Sequence, residues 1–556
     1  MKSGVSKFAS ILCVGALVFA GAVGLSSCGN SDKKGTDTKA ASSDTLAYGT
    51  LDKLVCLDPA CSYDNGSKAV QDNVMEKLFD YKYGSITPEP SLAASDGEFT
   101  NAGTDYVVKL QEGLKFSNGH DLTSSDVKFS FDRIVKINDP NGPATMLDNL
   151  DSITTPDPLT VDFKLKNADD ITFKSVLAAN AGYIVDEETT PADKAMEDSA
   201  FVKANGFSGQ YKITDYKKNE SIQMTINPDY KGINGAANIK NVNMTYYTQA
   251  SNLKMDIADG KIEFSYNGLD ATSIEDLKNN PNVKVNFGDG GRFDFLVFDT
   301  HIQPFGSSQP DANLAKAKAV RVAVANLIDR DAIAKGPFKD TFRPVYSLVG
   351  NGIEGQKNTY KDQYGENGKP SLEKAKAAFA EAGITGKVDI NLYYNSEHYE
   401  PVSTEEYNML KSQLEESGLF NVTLATTEWV QYQKDRVNTG DHDGKYQANQ
   451  MGWFNDYPDA DNFIRPFFGV TNFLHEGYEP DAETAKLIAS ESGIVDKAER
   501  IASLEKIQDA VTADAPVIPI VQGEVKTFTS KSINGAEKIT DALQSFRIGA
   551  LSKVAS

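Results

Sequence analysis

The chain is short of the residues that most chemistry needs. Five histidines are scattered over 556 residues at positions 120, 301, 398, 442 and 475, and no two have the His-x-x-x-His spacing of a helical zinc site. There is no G-x-S-x-G elbow and no P-loop, so the common nucleophile and phosphate-binding frameworks are missing. Positive charge is scarce too: 56 Lys and Arg stand against 78 Asp and Glu, a formal charge of −22. A chain this acidic is poorly suited to tracking phosphates or coating an anionic membrane, which sets nucleic acid aside. No internal repeat is apparent, and beyond the first 27 residues no stretch approaches the roughly 20 apolar residues that span a bilayer. Composition is otherwise that of a globular protein, 40% hydrophobic and 24% charged, and the length suffices for two or more lobes with large cores.

The amino terminus carries an address. Lys2 and Lys7 form a small basic region, an apolar run follows from Phe8 to Leu25, and it closes on Leu25-Ser26-Ser27-Cys28. Small residues at the end of such a run mark a cleavage site. Running into a cysteine, they resemble a bacterial lipobox, in which Cys28 is lipidated and becomes the first residue; a plain signal peptide or a transmembrane anchor is the alternative. The next stretch, GNSDKKGTDTKAASSDT, is polar and without hydrophobic period and reads as a flexible tether. The expected product stands on the outer face of a bacterial cytoplasmic membrane or in the periplasm, touching the membrane through its lipid only.

Of the four cysteines, Cys13 falls in the leader and Cys28 at the lipid site. Cys56 and Cys61 remain as a pair. In an oxidising compartment they read as a disulfide across Leu57-Asp58-Pro59-Ala60, with two free thiols as the alternative. No further ligands nearby in sequence support a metal there.

From about Thr45 onward, β-like runs alternate with helical patterns, which points to α/β lobes. TDYVVKLQEGLKF reads as a strand; LTSSDVKFSFDRIVK reads as a helix capped by Ser124 or Ser125. QYKITDYKKNESIQMTIN reads as a hairpin turning at KKNE. LAKAKAVRVAVANLIDRDAIAK and SLEKAKAAFAEAGI read as helices, KVDINLYYN as a strand, EEYNMLKSQLEESG as a helix and FNVTLATTEW as a strand.

In order along the chain, LDPA at 57–60, YVVKLQEGLKFSNGHDLTSSDVKFSFDR at 106–133, GFSGQYKITDY at 206–216, NPDYKG at 227–232, VRVAVANLIDRDAI at 320–333, the AKAAFAEAGI helix ending at 384, MGWFNDYPDADNF at 451–463 and APVIPIVQG at 515–523 resemble the extracellular solute-binding proteins that include dipeptide and oligopeptide receptors of ABC importers. Two departures are SSDV, where the family commonly has an Ala-Glu-Asp type sequence, and FSGQY, which lacks a Gly-Pro or Gly-Ala step. The resemblance implies a two-lobed periplasmic-binding-protein-like α/β fold with an extra domain and a ligand cleft between the lobes. By segment alignment, residues 1–27 are the signal peptide and 28–44 the tether. Lobe I takes 45–85, 200–294 and 519–556, the extra domain 86–199, and lobe II 295–518.

The same resemblance assigns a site. In peptide-binding members, an Asp three residues after a Trp takes the ligand's α-ammonium and the Trp lines the pocket. Here these are Asp456 and Trp453, within Gly452-Trp453-Phe454-Asn455-Asp456-Tyr457-Pro458-Asp459-Ala460-Asp461. An ammonium buried on closure needs a fixed counter-charge to offset its desolvation. Asp459 and Asp461 read instead as solvated loop residues or helix caps. Tyr266-Asn267 resembles a Tyr-Asn pair lining the pocket of oligopeptide-binding relatives, with Asn offering a donor and an acceptor to a peptide backbone. The implied partners are a peptide ligand and ABC permease and ATPase subunits, with no cofactor and a monomeric state. An oligosaccharide or metal-chelate ligand, or a surface receptor without a transport role, is the alternative. The three acids of 456–461 have neither the defined gap of a glycosidase pair nor the glycine and closing Glu of a calcium loop.

Overall fold

The computed structural model describes residues 44–554, apart from 140, 397–398, 400–401, 439–442, 470–471, 473, 541–542 and 545. Cys28 and the leader lie outside the described residues. No helix among the described residues is long and apolar enough to cross a membrane.

Three sheets organise the body. The first runs Val283–Gly288, Val525–Ser530, Phe264–Tyr266, Thr45–Thr50, Asn241–Tyr246, Ser221–Ile226, Tyr211–Lys217, with Thr45–Thr50 parallel to both its neighbours. The second runs Phe342–Pro344, Val517–Gly523, Phe293–Phe298, Ala448–Trp453, Val388–Tyr394, Phe420–Thr426. Its centre is Phe293–Phe298, sequence FDFLVF, buried at every position. A strand covered on both faces reads as a continuous apolar run rather than an alternation. The third is a four-stranded antiparallel sheet, Glu98–Thr100, Asp105–Lys109, Thr160–Leu165, Leu150–Asp157. Each sheet has its own apolar cluster, and the first has a smaller second one.

Local readings differ from the structure at identifiable points. The helix Ser124–Ile137 is capped by Thr123, whose hydroxyl accepts the Ser125 N–H while Asp126 returns a bond to the Thr123 N–H. The cap therefore lies one residue before Ser124 and forms a capping box. The run 314–335 is two helices, Leu314–Leu327 and Arg330–Lys335, because Asp329 leaves the helical region and caps the second through the Ala332 N–H. The hairpin 211–226, by contrast, turns at Lys217–Glu220 as expected, the Glu220 N–H donating to the Lys217 carbonyl at 3.0 Å with Asn219 left-handed.

The chain passes from the first sheet to the second between Gly288 and Phe293 and returns between Gly523 and Val525. The expected crossings at 294/295 and 518/519 fall inside strands of the second sheet, the first of them at a register shift in the pairing of Phe293–Phe298 with Val517–Gly523. The two crossings touch. The Gly523 N–H donates to the Arg292 carbonyl at 2.7 Å, and a Cβ on Gly291 (φ +79°) would stand 2.8 Å from the Gly523 backbone. Only glycine fits that approach and that φ without strain.

Candidate functional site

The strand Ala448–Trp453 ends beside the crossings. Trp453 stands opposite Phe293 in the ladder, and Phe293 in turn opposite Gln522. One residue earlier, Gly452 is overlaid by Tyr399 and Arg292: a Cβ there would meet the Tyr399 ring at 2.5 Å and the Arg292 stem at 3.0 Å. The Trp453 indole packs edge-on to Phe467 at 5.2 Å. After it the chain makes a loop to the helix Asp461–Phe468.

The three acids of this loop meet different fates. Asp459 receives a bidentate pair from Arg500, at 2.8 and 2.7 Å. Asp461 accepts from the Tyr457 hydroxyl at 2.8 Å and from Arg465 Nε at 2.8 Å, and Arg465 also donates to Ser492 Oγ at 2.7 Å. Buried Glu491 completes the network opposite Arg500, 2.8 Å away. Burial, then the Asp461 carboxylate, push the Glu491 pKa up, against the pull of the Arg500 guanidinium. Burial works against the Asp461 charge, but the Glu491 hydrogen bond and the Arg465 guanidinium outweigh it and lower its pKa. Three acids thus face two guanidiniums, and each is held by partners within the fold. Asp461 is buried and is no cap; Asp459 is half-buried, and besides Arg500 its Oδ1 accepts the Asp461 N–H at 2.8 Å, so it caps the helix as one of its two readings expected.

Asp456 is the exception. Its backbone N–H donates to Asn462 Oδ1 at 2.8 Å, and Asn462 Nδ2 donates back to Asp456 Oδ2 at 2.9 Å. Among the described residues no ion pair reaches it. Burial pushes its pKa up to about 6, against the lowering effect of the Asn462 amide. An amide grip fixes the carboxylate's direction without cancelling its charge, so a cationic ligand group would supply what the fold withholds.

The other candidate pair lies on the first sheet. Tyr266 is buried at the end of Phe264–Tyr266, its ring 4.4 Å from Phe546. Asn267 is left-handed at φ +49°. Its N–H donates to the Lys526 carbonyl at 2.8 Å, and its Oδ1 accepts the Lys526 N–H at 2.8 Å. Asn267 therefore continues the strand pairing through its side chain, which leaves its amide NH2 as the group to offer a ligand. Lys526 lies four residues beyond Gln522, roughly 13 Å of extended chain, so both candidate pairs border the two crossings, one on each sheet. Cys56 and Cys61 are joined as a disulfide with Cα atoms 6.0 Å apart. Between them Asp58 is held by Arg133 of the third-sheet domain, with Nη1 to Oδ1 at 2.7 Å. A separate open groove of about 810 Å³ lies on a helical flank of the second lobe, lined by Leu327, Leu372 and Met409 among others.

Sequence reading missed Asn462, Arg465, Glu491 and Arg500. Asn462 was within reach, six residues beyond Asp456 in the same motif. Arg500 meets Asp459 across 41 residues, a pairing with no local signature.

The family model for bacterial extracellular solute-binding proteins, family 5 Middle, matches residues 87–474. Heme-binding protein A of Haemophilus influenzae is 23% identical over 521 residues, covering 89% of this chain and 90% of that one. The dipeptide-binding protein DppE of Bacillus subtilis is 22% identical over 511 residues, covering 88% and 89%. Among solved structures, the ABC transporter-associated periplasmic binding protein DppA from Helicobacter pylori, in complex with the peptide STSA, superposes with a TM-score of 0.70 at 20% identity, covering 92% of this chain and 98% of that one. The fold is the two-lobed one of these periplasmic binding proteins, and the chain belongs to family 5 of the bacterial extracellular solute-binding proteins.

Proposed function

We propose that this protein captures peptides in a cleft between its lobes and delivers them to an ABC importer, with Asp456 holding the ligand's α-ammonium. The observation that carries the reading is the contrast within one loop: Asp459 and Asp461 are neutralised by arginines, while Asp456 is oriented by Asn462 and left without a counter-charge among the described residues. Trp453 lines the same end of the cleft, and Tyr266 with the Asn267 amide lines the facing lobe. An extended peptide meets such a site largely through its backbone, leaving side chains in tolerant pockets. Relatives named for dipeptide and oligopeptide binding support this ligand class. The chain is a binding protein, not an enzyme.

The finer address also belongs to this reading: Cys28 carries a lipid, residues 28–44 form the tether, and the receptor works as a monomer outside the cytoplasmic membrane. Mass spectrometry of ligand co-purified with the soluble body identifies the peptide length. The deciding test is a cycle measured by calorimetry. Asp456→Asn and amino-terminal acetylation of the peptide should each weaken binding, and acetylation should cost the variant far less than it costs the native protein. Effects that simply add, or two harmless changes, would remove Asp456 from the role.

A further inference from the structure

Two side-chain amides, one beside Asp456 on the second lobe and one in the carboxy-terminal segment of the first, each bury a polar atom that has no partner among the described residues. Asn455, next to Asp456, buries Nδ2 without a partner among the described residues. Gln544, in the carboxy-terminal segment of the first lobe, is 4% exposed and buries Oε1 without a partner. Gln544 is also left-handed at φ +50°, a conformation that costs a residue with a Cβ and persists where the surroundings impose it. Its neighbours place it. Two residues on, Phe546 packs on Tyr266. One residue before, Leu543 packs against the apolar cluster that Tyr457 enters from the other lobe. Lys68 Nζ ties down the Leu543 and Gln544 carbonyls at 3.4 and 3.2 Å. Leu543 and Phe546 therefore hold Gln544 between the apolar cluster that Tyr457 enters and the first-lobe candidate Tyr266. A buried amide atom left without a hydrogen bond is costly and calls for a partner.

We propose that Asn455 and Gln544 read the first peptide group of the ligand: Asn455 Nδ2 donates to its carbonyl, and Gln544 Oε1 accepts its N–H. The assignment rests on the peptide reading above and adds a recognition element to it. A peptide group presents its donor and its acceptor in opposite directions, and the two unsatisfied atoms are an acceptor on one lobe and a donor on the other. An ammonium at Asp456 puts the first peptide group within reach of the adjacent Asn455. Closure would then satisfy both amides at once, so recognition depends on backbone amide chemistry and not on ligand side chains.

The test uses trialanine and its analogue with an ester oxygen in place of the first amide N–H, measured by calorimetry on the native chain, Asn455→Leu and Gln544→Met. The native protein should bind the ester about tenfold more weakly than the amide. Gln544→Met should lose about tenfold on the amide and no longer distinguish the two ligands. Asn455→Leu should lose about tenfold on both and keep the distinction. Ligand-free Gln544→Met should melt no lower than the native protein, because an unpartnered carbonyl has left the interior. Equal binding of ester and amide by the native chain overturns the inference, and needs no variant. So does a Gln544→Met protein that still discriminates, or one whose ligand-free melting point falls by several degrees. A native chain that binds no peptide overturns the peptide reading itself, and this inference with it.

Discussion

Two carboxylates, Asp72 buried and Asp456 half-buried, show what burial does and does not decide. Asp72, in the first lobe, accepts from Lys68 at 3.1 Å and from the Tyr183 hydroxyl at 2.6 Å, with Lys77 3.4 Å away. Burial opposes its charge, but Lys68, Lys77 and Arg547 outweigh it and hold the carboxyl well below the usual range. Among the described residues Asp456 has an amide and no cation, and burial wins, moving it up to about 6. Asp72 is finished within the fold. Asp456 is completed only by something brought to it. The number of cations in contact, rather than depth, separates the structural acid from the binding acid.

The largest expected effect tests that separation directly. Asp456→Asn should weaken peptide binding by roughly two to three and a half decades, since stranding one half of a buried ion pair costs about 3–5 kcal/mol. Asp72→Asn should lose about 3–5 kcal/mol of stability in chemical denaturation instead, because it leaves buried lysines uncompensated. If Asp72→Asn lost affinity without losing stability, the comparison would break.

Next comes pH. The folded pKa of Asp456 lies above its unfolded value, so its stability contribution is present when it is protonated, below about pH 4, and is lost as pH rises through about 6. Ligand-free Asp456→Asn should therefore be more stable than the native protein at pH 7.5, by on the order of 1–3 kcal/mol, and no more stable at pH 4. Peptide affinity should fall about tenfold per pH unit below about 6, where a proton must first leave. Loss of binding with gain of stability in one substitution is the sharpest mark of a binding residue, and thermal melts at the two pH values read it.

The Cys56–Cys61 link gives a smaller effect. Replacing both with Ser should cost about 2 kcal/mol, the entropy of so short a closed loop. Intact mass with and without reduction checks the bond in exported protein, and two free thiols there would refute it. The smallest effect is on binding by Cys28→Ala: the protein should leave the membrane fraction while its peptide affinity stays unchanged, as fractionation and calorimetry together would report.

Much of the architecture was legible because local patterns and a family-like order of segments coincide. The KVDINLYYN and FNVTLATTEW strands announce themselves by their β-like alternation, and the Trp453 to Asp456 spacing singles out one acid of three. What escaped depends on single side-chain caps and on contacts between residues far apart in sequence. The helix break at Asp329 hangs on one side-chain cap. The crossing points are set by ladder registers between strands far apart in sequence. The pairing of Asp459 and Asp461 is decided by Arg500 and Arg465, with Glu491 beside them, which charge counting along the loop cannot reveal. Asn267 looks like a turn residue and a ligand group in sequence; its carbonyl is spent on Lys526.

The joint between the lobes has a thermodynamic consequence. Residues 289–292 and 524 are all that lie between the strands of the two sheets, and Gly523 is hydrogen-bonded to Arg292 across them. A freely flexing residue gives up about 1–2 kcal/mol when it is fixed. Here the crossing chains are short and already paired, so shutting the cleft removes little disorder from the backbone. Most of the free energy a ligand releases on closure is then available as affinity, and a substitution that frays this ribbon should weaken every ligand by the same factor, whatever its side chains.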